Sequence, residues 1–234
     1  MPGCLMAMGR FNRPSIMLYG GTIRSGKNKH GQSLDIVSAF QSYGAYLSGD
    51  IDEEQRSEIV QKACPGAGAC GGMYTANTMA SAMEALGLSL PNSSAQNAVS
   101  EAKKIDSRNA GIAVRNLIKL GIKPSDILCK ESFENAIRVS IALEGSTNAV
   151  LHLLGIAHAA GINLELDDFS RIGTRVPVLA DMRPAGQYAM SELIEIGGIQ
   201  PLMKLLLTEG LLKAVSYTHL RAHETPEHRV CRGG

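Results

Sequence analysis

The chain has 234 residues, 44% of them hydrophobic, enough for a sizeable core in one large domain or two small ones. Only 4% are aromatic and none is Trp, so that core must rest on Leu, Ile, Val, Ala and Met. A formal net charge of +1 removes the electrostatic case for nucleic acid or an anionic membrane, and no apolar run approaches a bilayer-spanning length.

The chain opens on Met1-Pro2-Gly3-Cys4-Leu5-Met6-Ala7-Met8, which has no polar lead-in and reads as the inside of a domain. Pro14-Ser15-Ile16-Met17-Leu18-Tyr19, closed by Gly20-Gly21, predicts a short buried parallel strand. Apolar periodicity then predicts helices over residues 34–47, 52–63, 73–86 and 95–120. Pro124-Ser125-Asp126 signals a further helix running through Phe133, Ile137 and Ile141. Gly145-Ser146-Thr147-Asn148 interrupts it, and the helical period resumes over 150–160. Residues 176–180 predict a second strand, followed by the turn Pro184-Ala185-Gly186 and helices over 188–196 and 202–207. Strands interleaved with helices predict an α/β fold, a layered, largely parallel sheet flanked by helices, in a domain spanning 1–214.

The composition changes at about Val215. His219, His223, His228 and Cys231 are residue types that zinc uses. The segment has no apolar period, however, and resembles translated sequencing-adaptor sequence, so 215–234 is read as a non-native tail.

Five scattered cysteines, Cys4, Cys64, Cys70, Cys129 and Cys231, argue against a disulfide scaffold and for a reducing compartment. With no targeting segment visible, the expected location is the cytoplasm of a bacterium, or an organelle if the source is eukaryotic. Cys70 stands apart. It lies in Pro65-Gly66-Ala67-Gly68-Ala69-Cys70-Gly71-Gly72-Met73-Tyr74-Thr75-Ala76-Asn77-Thr78-Met79, a glycine-rich turn directly ahead of a predicted helix. Unpaired N–H groups and the positive dipole end there favour a thiolate, and the glycines allow close approach to the sulfur. Such a setting suits a metal-binding or nucleophilic sulfur; the alternative is a free buried cysteine. Cys4, Cys64 and Cys129 are read as structural. Gly145-Ser146-Thr147-Asn148 either caps a helix or presents N–H groups to an anion. The glycines from Gly20 to Gly31 do not give the G-x-G-x-x-G spacing of a dinucleotide loop. His30 reads as solvated, and His152 and His158 as ordinary helix residues.

Residues 1 to about 214 resemble the dihydroxy-acid dehydratase family, which also holds phosphogluconate and sugar-acid dehydratases. The resemblance rests on Met1-Pro2-Gly3-Cys4-Leu5-Met6-Ala7, Pro14-Ser15-Ile16 with Tyr19-Gly20-Gly21, and the Pro65 to Met79 block. It continues through Ala85-Leu86-Gly87-Leu88-Ser89-Leu90-Pro91, Phe133-Glu134-Asn135-Ala136-Ile137, Gly145 to Leu154 and Leu166-Asp167-Asp168-Phe169. The order and spacing of these blocks carry the signal together.

The resemblance implies a hydro-lyase that converts a 2,3-dihydroxy acid to a 2-keto acid, with a branched 2,3-dihydroxy-3-methyl acid of valine and isoleucine biosynthesis as the expected substrate. It implies an iron–sulfur cluster, [2Fe-2S] or [4Fe-4S], held by three cysteines with one iron open to the leaving hydroxyl, and a magnesium ion held by carboxylates and a carbamylated lysine. Cys70 is the cluster and metal ligand that carries over by motif. In the family a Cys-Asp-Lys triplet precedes the Pro-Gly matched by Pro2-Gly3, and the base, a serine, belongs to a C-terminal β-domain. This chain is therefore expected to be an internal fragment of the N-terminal domain, with no catalytic residue of its own, no turnover alone, and Met1 not the natural start. A homodimer when intact, a small-molecule substrate, and no nucleic-acid or membrane partner complete the expectation. Glu144 stands where the family usually has glycine. The rivals are a phosphogluconate or sugar-acid dehydratase, and a non-catalytic α/β module that binds a phosphate ligand.

Overall fold

Short polar side chains fix where several helices begin. In the computed structural model, which describes residues 1–214, α2 (Ile36–Ser48) starts where the Asp35 carboxylate accepts from Ser38 N at 2.9 Å, and it ends at Gly49 with φ +84°. α3 (Glu53–Ala63) starts in the same way, Asp52 accepting from Gln55 N at 2.8 Å. α5 (Glu101–Leu120) is capped by Ser100, which accepts from Lys103 N at 3.1 Å, and closes at Gly121 with φ +69°. The tail 215–234 and its His219, His223, His228 and Cys231 lie outside the described residues.

The core is helical. α4 (Thr75–Ala85) is buried from Asn77 onward, and its small residues Ala80, Ala82 and Ala85 let it pack against α7 (Lys130–Ala142). Phe133, Ala136 and Ile137 of α7 belong to the same cluster as Met79 and Met83 of α4 and the Leu86 that follows it. Full burial of each large side chain contributes roughly 2 kcal/mol. α1 (Pro2–Phe11) packs on α8 (Asn148–Ala159), and Gly9 allows the approach: a Cβ there would stand 3.2 Å from Ala160 Cβ. α6 (Pro124–Ile127) leads into α7, and α9 (Leu166–Gly173) lies against it. α10 (Met190–Glu195) and α11 (Ile199–Thr208) add Met190, Ile199, Met203 and Leu206 to the core.

The described residues are mostly helical, with one two-stranded antiparallel sheet, β1 (Gly26–Lys27) with β2 (Ser33–Leu34). The expected layered, largely parallel sheet is reduced here to isolated parallel bridges, Met17 to Ser89 and Thr22 to both Ala69 and Asn97. The predicted strand over 14–19 donates to the 88–89 segment once, from Met17 N to Leu88 O at 2.7 Å. Pro14 has no N–H to give, and Pro91 turns the partner away. The predicted strand over 176–180 forms no ladder, because Leu179 N and Ala180 N both donate to Ala142 O at the end of α7. α5 begins at Glu101 rather than 95, since residues 96–98 instead exchange hydrogen bonds with Thr22. α1 and α9 occupy stretches for which the pattern predicted no helix.

Candidate functional site

The Cys70 loop is held from two sides by backbone. Ala69 N donates to Gly21 O (3.0 Å) and Ile23 N to Ala69 O (2.8 Å); Met73 N donates to Arg183 O (2.7 Å) and Met190 N to Gly71 O (2.6 Å). Glycine makes these approaches possible. A Cβ on Gly68, at φ +137°, would lie 2.5 Å from Ile23 N, and one on Gly72 would lie 2.9 Å from Arg183 O.

Beneath the loop lies Asn77, fully buried in the first turn of α4. Its Nδ2 donates to Cys70 O and Gly72 O, both at 2.7 Å, and stands 3.2 Å from Thr22 Oγ1. Its Oδ1 accepts from the Tyr19 hydroxyl at 2.7 Å. Thr22 Oγ1 also donates toward Cys70 O at 3.3 Å. Burial, and then the neighbouring Cys70 charge, push the Tyr19 hydroxyl well above the ordinary phenol range, so it stays a donor.

The Cys70 residue itself is exposed and its thiol is free. It lines a cleft of about 150 Å³ with Ile23, Arg24, Asp35, Cys64 and Gly68. Cys64, expected to be structural, caps the C-terminal end of α3 and shares this cleft; burial pushes its thiol up, and Cys70 adds to the effect. Burial alone would raise the Asp35 carboxyl. The Ser38 N–H and the Arg183 guanidinium at 2.8 Å outweigh it and hold the group below the ordinary range. Arg24, exposed at the rim, has no carboxylate partner among the described residues. The amide N–H groups of Cys70, Gly71 and Gly72 likewise have no acceptor among the described residues.

Gly145-Ser146-Thr147-Asn148 meets the first turn of α4. Ser146 N donates to Thr78 Oγ1 (3.0 Å), Asn148 Nδ2 donates to Thr75 Oγ1 (2.8 Å), and Thr78 Oγ1 donates to Met73 O (3.1 Å). The capping reading is only weakly met: Thr147 makes no side-chain cap bond, and Ser146 Oγ accepts from Asn148 N at 3.3 Å. Glu144 has φ +58°, which explains why glycine suits that position. Cys4, read as a packing residue, is exposed; Cys129 is half-buried ahead of α7. His30 is exposed as expected; on α8, His152 is half-buried and His158 exposed.

No group of three or more His, Cys, Asp or Glu capable of holding a metal occurs among the described residues. No helix among them is long and apolar enough to cross a membrane.

The model of the dihydroxy-acid/6-phosphogluconate dehydratase N-terminal family matches residues 1–223. The chain belongs to this family. The chain is 61% identical over 212 residues to dihydroxy-acid dehydratase 2 of Pseudoalteromonas translucida, covering 91% of this chain and 37% of that protein. It is 60% identical over 212 residues to the dihydroxy-acid dehydratase of Methylococcus capsulatus, covering 91% and 38%. With the mitochondrial dihydroxy-acid dehydratase ilvC of Aspergillus fumigatus it shares 53% identity over 220 residues, covering 93% and 36%. The chain thus spans a little over a third of the length of the curated relatives it matches.

Asn77, Thr22 and Tyr19 were not singled out from the sequence. The available signal was a polar Asn between Ala76 and Thr78 on a helix that buries nearly all round, a position where an unpaired amide would cost about 1–3 kcal/mol.

Proposed function

We propose that this chain is part of a dihydroxy-acid dehydratase, a hydro-lyase that converts branched 2,3-dihydroxy-3-methyl acids to 2-keto acids in valine and isoleucine biosynthesis. The observation that carries this reading is 53–61% identity to proteins of that name over more than nine-tenths of the chain. It favours the branched acid over phosphogluconate or a sugar acid.

In this reading Cys70 is one ligand of an iron–sulfur cluster, [2Fe-2S] or [4Fe-4S], that works beside a magnesium ion. The remaining ligands come from parts of the whole enzyme that this chain does not span. The residues present fit such a group: an exposed free thiol, a loop whose glycines leave no room for a Cβ at Gly68 or Gly72, and three neighbouring N–H groups without acceptors that suit anionic sulfur. When bound, the cluster supplies a Lewis-acidic iron for the departing hydroxyl. The chain's own residues present the sulfur at the cleft, and Arg24 puts a positive charge at the rim, where a carboxylate substrate approaches. The segments bridged at Met17, Thr22, Ala69, Ser89 and Asn97 are the nucleus of the layered parallel sheet of the whole enzyme. That enzyme is a homodimer of the bacterial cytoplasm or a eukaryotic organelle. The part of the N-terminal domain contributed here is 1–214, with 215–234 foreign to it, and the chain alone has no turnover.

The test is an anaerobic assay of the whole enzyme, reconstituted with iron and sulfide, on the branched dihydroxy acid and on phosphogluconate. The proposal expects the branched acid to be dehydrated. Turnover of phosphogluconate in its place would overturn it.

A further inference from the structure

The Cys70 loop has no regular secondary structure of its own, yet its backbone is fixed through one side chain. Two carbonyls, Cys70 O and Gly72 O, converge on Asn77 Nδ2 at 2.7 Å each, while the Tyr19 hydroxyl meets Oδ1 at 2.7 Å. Carbonyls can only accept, so the amide has one workable orientation, and Tyr19 locks it from the far side. The Cys70–Gly71 peptide is trans. Drawing the Cys70 carbonyl toward Asn77 therefore turns the Gly71 N–H away from it. Thr22 completes the arrangement, within 3.2 Å of Asn77 Nδ2 and 3.3 Å of Cys70 O, on the segment that already pairs with Ala69.

We propose that Asn77, oriented by Tyr19 and Thr22, is the positioning residue that sets the backbone conformation from which Cys70 presents its sulfur. An apolar side chain of equal size would fill the same space but leave the buried Gly72 carbonyl without its donor and Cys70 O with only the longer contact from Thr22 Oγ1. The loop would then turn those carbonyls out to water and carry the Cys70 sulfur with it. Asn77 touches neither substrate nor cofactor; it acts through the Cys70 and Gly72 carbonyls. This inference deepens the reading of Cys70 as a cluster ligand, but it concerns the order of the loop in the metal-free chain, so it can fail while that reading stands.

The experiment uses the full 234-residue chain. Asn77→Asp keeps the shape and the acceptor for Tyr19 but removes the two Nδ2 donors, which separates the hydrogen bonds from mere packing. Amide exchange at Ala69 and Met73 is expected to accelerate about tenfold or more, with the amides of α7 and α8 unchanged. Alkylation by iodoacetamide is read as the ratio of the Cys70 rate to the Cys64 rate, in the folded chain and unfolded in guanidinium. The folded ratio is expected to move about threefold or more toward the unfolded one in the variant. Should Asn77→Asp not fold, Tyr19→Phe decides: it removes only the hydroxyl that orients the amide, and the same two changes are expected in the same direction. Unchanged exchange and an unchanged ratio in the folded variant would overturn the proposal. A wild-type ratio already equal to the unfolded ratio would do so as well.

Discussion

Replacing Gly68 by alanine is a strong test of how the Cys70 loop is built. The new Cβ would stand 2.5 Å from Ile23 N, 2.7 Å from Thr22 C and 2.8 Å from Ile23 Cα, all backbone atoms with no rotamer to yield. To escape, the loop must give up the Ile23 N to Ala69 O and Ala69 N to Gly21 O hydrogen bonds, worth about 1 kcal/mol each. A side chain at φ +137° adds about 1–3 kcal/mol of backbone strain. The sum is a loss of about 3–5 kcal/mol, a large share of the roughly 5–15 kcal/mol that holds a domain together. Gly66 is the control in the same loop, since a Cβ there meets nothing within 4 Å, and Gly66→Ala should change stability by less than about 0.5 kcal/mol. Urea unfolding followed by far-ultraviolet circular dichroism gives both values. A difference between the two variants below about 1 kcal/mol would refute the claim that Gly68 is there because backbone passes through the space a side chain would need.

Glu144→Gly should stabilise the chain by about 0.5–1 kcal/mol, because it relieves a left-handed residue at φ +58° at some cost in unfolded-state entropy; a fall in melting temperature would contradict this. Burial alone would raise the Glu134 carboxyl, but hydrogen bonds from Arg171, Lys213 and Arg138 hold it at about 2 against an ordinary 4.5. A lowered folded-state value means the contribution is fully present above pH 4.5 and is lost as pH falls toward 2. Glu134→Gln should flatten the stability profile across that window, and parallel loss in variant and wild type would count against it.

Helices whose first turns carry their own signals were legible in the sequence: Asp35 and Asp52 each accept from a backbone N–H three residues on, close to where the pattern places a start, whereas α5 starts at its Ser100 cap and not at 95. The sheet was not legible. Runs such as 14–19 and 176–180 have strand composition, but whether they form a ladder depends on distant partners, and those partners are a Pro-turned segment and the carboxyl end of α7. The placement of Cys70 in an exposed loop ahead of α4 was legible because glycine-rich turns ahead of helices have a local physical meaning. The network beneath it was not, since Tyr19, Thr22 and Asn77 are up to 58 residues apart and meet only in the fold. Glu144 shows the reverse case, a position whose anomaly was visible in the sequence and whose reason, a left-handed backbone at φ +58°, needed the fold.

The central claim, that the Cys70 sulfur holds iron, is tested most directly by iron and sulfide content in the whole enzyme that carries this region, purified anaerobically with and without Cys70→Ser. The account predicts that the variant loses the cluster and its visible absorption while remaining folded. Full iron occupancy and an unaltered spectrum in the serine variant would contradict it.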